Sequence, residues 1–132
     1  MKPKISLIAL GVEDVARAAA FYAALGFPVH GGDGDDFVVF DTEGTKLALF
    51  PYQKLADDAG KEVGRGKFPG ITLAHNVSSK EKVDATLTEA INAGAKITRH
   101  AQDTFWGGYS GYFEDLDGHI WEIAWNPFAD LT

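Results

Sequence analysis

Ile5-Ser6-Leu7-Ile8-Ala9-Leu10-Gly11-Val12 is an apolar, β-leaning run, and Glu13-Asp14 directly after it place capping carboxylates at the start of a helical pattern. Val15, Ala18, Ala19, Tyr22 and Leu25 then fall on one helical face. Gly26 is placed as the C-terminal stop ahead of Phe27-Pro28. Three short strands are predicted next, at about 29–31, 37–41 and 46–50. The turn-prone segments Gly31-Gly32-Asp33-Gly34-Asp35-Asp36 and Thr42-Glu43-Gly44 separate them. The first half therefore reads β-α-β-β-β.

Working outward, residues 52–69 are polar, include Lys61, Arg65 and Lys67, and form a connector with one helical turn predicted near Leu55. Beyond it the order repeats. Residues 70–77 read as a strand, Ser78-Ser79-Lys80-Glu81 has the Ser-x-x-Glu spacing of a capping box, and Val83, Leu87, Ala90 and Ile91 recur at helical spacing up to Gly94. Strands are predicted at about 96–100, 109–114 and 119–125, the last two joined by Asp115-Leu116-Asp117-Gly118. Leu10-Gly11-Val12 corresponds to His75-Asn76-Val77, Leu25-Gly26-Phe27 to Ala93-Gly94-Ala95, and Leu47-Ala48-Leu49 to Trp121-Glu122-Ile123. The prediction is an α+β fold in one domain, 1–132, with two βαβββ modules at about 1–51 and 70–128 building a cup-shaped mixed sheet. A ferredoxin-like α+β sandwich is the rival, but it does not need two hairpin strands after each helix.

Composition narrows the function. The 132 residues are 45% hydrophobic, enough for one core, and nineteen acidic against twelve basic side chains give a formal charge of −7. That field disfavours nucleic acid and anionic membrane surfaces. There is no cysteine, hence no disulfide, thiolate metal site or Cys nucleophile, a composition suited to the cytoplasm. No secretion signal is read at the N-terminus, and no apolar run approaches membrane-spanning length.

Gly11-Val12-Glu13-Asp14, Phe21-Tyr22, Leu25-Gly26-Phe27 and the later Glu114-Asp115-Leu116-Asp117-Gly118-His119-Ile120-Trp121-Glu122 carry a family likeness. They resemble the V-x-D, F-Y, L-G-F and closing D-P-D-G-x-x-x-E of the vicinal oxygen chelate superfamily, which covers glyoxalase I, extradiol dioxygenases and the fosfomycin- and bleomycin-resistance proteins. The resemblance spans essentially the whole chain, with Leu116 where the family turn usually has proline. It implies a fold that hosts both metal enzymes and metal-free binding proteins. The metal-ligand positions it carries over are Leu7, Ala48, Thr72 and Glu122. A divalent ion wants several His, Asp or Glu donors at about 2.0–2.6 Å, and only Glu122 is a strong one. The expectation is no metal site and no cofactor, with a loosely held divalent ion at Glu122 left open.

The histidines, His30, His75, His100 and His119, lack the spacing that puts two ligands on one face of an element. His75 is out of phase with Thr72, and His119 with Glu122. They read as edge, turn or packing residues. Ser110 lacks the Gly-x-Ser-x-Gly spacing of a nucleophile elbow, and Gly31-Gly32-Asp33-Gly34 lacks the Lys or helix start of a phosphate loop.

Glu122 remains the sharpest candidate, either as a general base or ligand anchor in an aromatic-lined cup, or as a structural group paired to a nearby Lys, Arg or Tyr hydroxyl. Trp106, Tyr109 and Tyr112 are candidate ligand-binding aromatics, with Leu7, Ala48 and Thr72 completing the wall implied by the family. Trp121, Ile123 and Trp125 alternate on the other face and are expected under the helices. Three functions follow: a binding protein for a small apolar or aromatic molecule, a lyase or isomerase using Glu122 as general base, and an interaction module with a vestigial cup. A homodimer is expected by analogy with relatives of this size.

Overall fold

The structure, a computed structural model, describes residues 1–33, 36–64 and 67–132. Gly34 and Asp35 of the first glycine-rich turn, and Arg65 of the connector, lie outside the described residues. The chain forms two compact units, Met1–Lys67 and Phe68–Thr132.

In the first unit β1 (Leu7–Val12) leads into α1 (Val15–Ala24), then β2 (Val29–Gly32), β3 (Val38–Phe40) and β4 (Lys46–Pro51). The four strands lie in the order β1-β4-β3-β2, with β1 parallel to β4 and the rest antiparallel. The second unit repeats this with β5 (Leu73–Asn76), α3 (Lys80–Ala93), β6 (Lys96–Asp103), β7 (Tyr109–Glu114) and β8 (Ile120–Trp125), in the order β5-β8-β7-β6. Each unit is thus a four-stranded mixed sheet carrying its own helix, and the fold is α+β. The connector holds α2 (Tyr52–Asp58), longer than the single turn expected near Leu55.

Capping explains where the helices begin and end. The Asp14 side chain accepts from Arg17 N at 3.0 Å, while Phe27 N donates to Tyr22 O and Gly26 N to Ala23 O, closing α1 with Gly26 at φ 94°. In α3 the cap is one residue later than the Ser-x-x-Glu pattern predicts. Ser79, not Ser78, has extended backbone and accepts from Lys82 N at 3.2 Å. Glu81 therefore sits in the first turn rather than closing a box. There, backbone and Ser79 hydrogen bonds hold its carboxyl below the usual range.

Burial follows helix and strand periodicity. Val15, Ala18, Phe21 and Tyr22 of α1 cover Leu47, Leu49 and Phe40, with the Tyr22 and Phe40 rings 5.8 Å apart. Val83, Leu87 and Ala90 of α3 cover Phe113, Trp121 and Ile123, whereas Ile91, predicted on that face, is exposed. Gly111 fits this contact by lacking a side chain, since a Cβ there would lie 2.7 Å from Leu87 Cδ1. The β7–β8 hairpin is tied by Asp115, whose carboxylate accepts from Asp117 N and His119 N, both at 2.9 Å, with Gly118 at φ 84°. Leu116, in the family's proline position, reaches toward Gly94 at the end of α3.

Candidate functional site

Strand register decides which side chains of the second sheet share a face. Tyr109, Gly111 and Phe113 of β7 pair with Trp125, Ile123 and Trp121 of β8. Gly111 meets Leu87, so this set faces α3. Ser110 and Tyr112 pair with Ala124 and Glu122, and Ala74 of β5 is the other neighbour of Glu122, which puts these residues on the face opposite α3.

On that face the Tyr112 hydroxyl donates to Glu122 Oε2 at 2.6 Å, and both residues are half-buried. The bond to Glu122, followed by burial and the charge of Glu122, pushes the Tyr112 phenol above its ordinary value, against an opposing contribution from Arg99. The Arg99 guanidinium carbon lies 4.8 Å from the centre of the Tyr112 ring. Its Nη2 donates to Ser110 O at 3.0 Å and to Ser110 Oγ at 2.7 Å. Ser110 is buried beneath it. The result is a chain of polar contacts along one sheet face: Ser110, Arg99, Tyr112, Glu122. Of the two readings of Glu122, the pairing to a tyrosine hydroxyl is present in the structure, and the half-exposed position is compatible with a ligand anchor as well.

Tyr109, expected beside Glu122, stands on the opposite face. Its hydroxyl donates to Asp84 Oδ1 of α3 at 2.8 Å, and Lys80 Nζ lies 5.5 Å from its ring centre. Position parity on β7 separates it from Tyr112, three residues on. Trp106 lies in the turn between β6 and β7 and folds against Gly108, where a Cβ would come within 2.0 Å of the indole. Neither a hydrogen bond nor a ring contact joins it to Glu122. Trp121 and Ile123 are buried toward α3, as expected, with Trp121 stacked on Phe113 at 6.3 Å.

The first module offers a different surface at the matching positions. Ala48 of β4, flanked by Ala9 and Val39, occupies the place that Glu122 has between Ala74 and Tyr112. Ala48 is 0% exposed, so it presents no surface of its own, while Leu7 is 43% exposed. Thr72 is exposed and precedes β5, which begins at Leu73 rather than at residue 70. Phe50, stacked on Phe37 at 5.7 Å, and Tyr52, lying over Gly11, are aromatics of this module not anticipated from the sequence.

The four positions carried over from metal-dependent relatives do not fit a metal ion. Leu7 and Ala48 have no donor atom, Thr72 offers a hydroxyl, and one oxygen of Glu122 already accepts the Tyr112 proton. Among the described residues no group of three or more His, Cys, Asp or Glu side chains could hold one. His75 is in register with Ile123 and so out of phase with Glu122, and the backbone of His119 belongs to the Asp115 turn. Among the described residues, no helix is long and apolar enough to cross a membrane. A groove of about 440 Å³ near the C-terminal segment is lined by Asn76, Ser78, Trp125 and Phe128 among others, and contains none of the candidate residues.

Arg99 was not a candidate on sequence grounds. In a regular strand it would share the α3 face with Ile97, which pairs with Phe113. A register shift between Ile97 and Arg99 puts Arg99 opposite Tyr112, and a second shift follows before Gln102. The only sequence signal is a charge at an apolar position of the alternation, and the bulge that re-aims it leaves no mark.

The family model for the glyoxalase/bleomycin resistance protein/dioxygenase superfamily matches residues 4–123. Among solved structures, a glyoxalase-related enzyme from Fulvimarina pelagi is 34% identical over 95% of this chain and 89% of that one, with a TM-score of 0.85. A hypothetical protein from S. aureus is 22% identical over 96% and 95% of the two chains, with a TM-score of 0.82. A lactoylglutathione lyase from Agrobacterium tumefaciens is 22% identical over 100% of both chains, with a TM-score of 0.74. The last two likenesses concern the fold alone. No curated protein matches the sequence. With two β-α-β-β-β modules, a family match over nearly its whole length and a relative at 34% identity, the chain belongs to the glyoxalase/bleomycin resistance protein/dioxygenase superfamily.

Proposed function

We propose that this chain is a small-molecule-binding member of the superfamily, holding an apolar or aromatic molecule against the Glu122 face of its second sheet without metal-assisted chemistry. The observation that carries this is the 2.6 Å hydrogen bond from Tyr112 to Glu122. The sheet itself does not require it, because the matching pair in the first module is Val39 and Ala48. A polar pair kept half-exposed on a sheet face, where the fold is satisfied with aliphatics, is a group held for something outside the chain.

The test is a thermal-shift screen of the purified chain against apolar and aromatic compounds, with the stabilising ones re-measured on Glu122→Gln. Stabilisation that shrinks in the variant while the unliganded melting temperature falls by only a few degrees is expected. A screen with no stabilising compound, or stabilisation indifferent to Glu122→Gln, would refute the reading.

The 34% identical relative from Fulvimarina pelagi is described as a glyoxalase-related enzyme, and that favours a second reading. In it Glu122 acts as general base in a lyase or isomerase, with Tyr112 orienting the carboxylate. Turnover of a methylglyoxal–glutathione adduct that vanishes in Glu122→Gln would establish the enzyme in place of the binding protein. Either form is proposed to work as a homodimer, since Val29, Phe68, Ile71, Phe105 and Phe128 are exposed apolar side chains. Light scattering returning the mass of one chain at micromolar concentration would reject the dimer.

A further inference from the structure

Among the described residues, no carboxylate is paired with Arg99. A guanidinium has five N–H donors, and here only Nη2 is used, toward the carbonyl and hydroxyl of Ser110. Nε is shielded from solvent and has no acceptor. Among the described residues Nη1 makes no hydrogen bond. The Tyr112 ring lies 4.8 Å from the guanidinium carbon and carries its hydroxyl toward Glu122. Two register shifts bracket Arg99 and turn it to this face, where Ser110 holds its orientation. In a chain of net charge −7, a guanidinium held in place with no carboxylate among the described residues paired to it can answer an outside anion.

We propose that the molecule bound on this face carries an oxyanion, a carboxylate or a phosphonate, to which Arg99 Nη1 donates. This rests on the ligand-binding reading of the Glu122 face. It adds a polarity to that reading: the ligand's anionic group lies at Arg99, its body runs along the Tyr112 ring, and a hydroxyl or amine at its other end donates to Glu122. With Nη2 turned to Ser110 and Nε shielded, Nη1 is the donor left to the ligand, and a charge-assisted hydrogen bond from it distinguishes a charged oxygen from a neutral amide of the same shape.

The experiment is isothermal titration of the full chain with benzoate, its neutral isostere benzamide, and phenylphosphonate, repeated on Arg99→Gln and Arg99→Lys. Benzoate is expected to bind at least about tenfold tighter than benzamide. That preference should vanish in Arg99→Gln and persist in reduced form in Arg99→Lys, which keeps the charge but not the Nη1 donor in its place. Comparing benzoate with phenylphosphonate distinguishes the two oxyanions. Should Arg99→Gln fail to fold, because Ser110 loses its partner, the Lys variant decides by weakening benzoate and leaving benzamide unchanged. Equal affinities for benzoate and benzamide in the wild type, or a preference for benzoate that survives both substitutions, would overturn the assignment of the anion to Arg99 while leaving the ligand-binding reading intact. If none of the three probes bound at millimolar concentration, but the wider screen gave a ligand dependent on Glu122, the oxyanion assignment alone would fall. Silence in both assays would remove the two together.

Discussion

Tyr112 and Glu122 stand directly opposite one another on β7 and β8, and the phenol donates to Glu122 Oε2 at 2.6 Å. Directly opposed side chains in an antiparallel pair are the unit through which a sheet is stabilised, yet this pair is half-exposed and its hydrogen bond competes with water. Its contribution to folding is therefore small.

Tyr112→Phe and Glu122→Gln should each lower stability by about 1 kcal/mol, the net worth of one solvent-accessible hydrogen bond. Urea denaturation with an unchanged m-value measures it. A loss of about 3–5 kcal/mol would instead mark Glu122 as a buried structural charge, because only a stranded, desolvated partner costs that much. Ligand affinity should fall in both variants.

Alkaline pH should expose the same bond. The Tyr112 phenol is held protonated in the folded chain above its ordinary value of 10.0, chiefly by its bond to Glu122. In the unfolded chain the proton leaves near that ordinary value. The stability this bond supplies is whole below about pH 10 and is lost as pH rises through the higher folded-state value. Tyr112→Phe should flatten that part of the stability profile without abolishing it, since Tyr109, bonded to Asp84, is also shifted upward. A profile above pH 10 that is identical in wild type and variant contradicts the bond.

Tyr109→Phe is the control for face assignment. Removing its hydroxyl breaks the 2.8 Å bond to Asp84 on the α3 side and should cost up to about 1 kcal/mol. Binding on the Glu122 face should be unaffected. If Tyr109→Phe weakened a ligand as strongly as Tyr112→Phe, the register-based division of β7 into two faces would be wrong.

The fold was legible because its signals are local and occur twice. Asp14 before α1, Gly26 and Gly94 after α1 and α3, and the Asp115 turn each fix an element boundary with chemistry that the sequence displays. The site was legible only in part. Glu122 and Tyr112 lie in regular strands, where alternation places them correctly on one face once the pairing register is known. Tyr109 shows the limit: its aromatic ring and neighbouring glycines suggested a cup wall, but it stands an odd number of positions, three, before Tyr112 and turns to the helix. Arg99 shows a deeper limit, because the two register shifts around it depend on how β6 meets β7 and not on the residues of β6 alone.

Metal addition should change little. With Leu7 and Ala48 donating nothing and Thr72 only a hydroxyl, one carboxylate and water leave a divalent ion weakly held. Zinc, nickel or manganese at micromolar concentration is expected to leave the melting temperature within about 1 °C, as ligand linkage requires when the dissociation constant far exceeds the concentration. One mole of tightly bound metal per chain in elemental analysis would return the chain to metal-dependent chemistry.

Gly111→Ala should link the helix contact to the site. A Cβ at residue 111 would lie 2.7 Å from Leu87 Cδ1 and 2.9 Å from the backbone nitrogen of Ala101. The leucine end can move, but the β6 backbone cannot without disturbing its pairing with β7. Overpacking of this kind costs about 1–3 kcal/mol. Leu87→Ala alone should also destabilise, by about 2–5 kcal/mol, through the cavity it leaves under α3. Combined, the two substitutions should cost less than their sum, since removing Leu87 relieves one of the two clashes and the added methyl occupies part of the cavity. The clash with Ala101 remains in the double variant. Because it pushes β7 away from β6 next to Tyr112, which pairs with Arg99, ligand affinity should stay reduced even where stability is partly recovered. Measuring urea midpoints and ligand affinity on the two single variants and the double variant tests this directly. Full recovery of affinity in the double variant would show that the effect passes through the α3 contact alone, and that the Arg99–Tyr112 geometry does not depend on how β6 and β7 are seated.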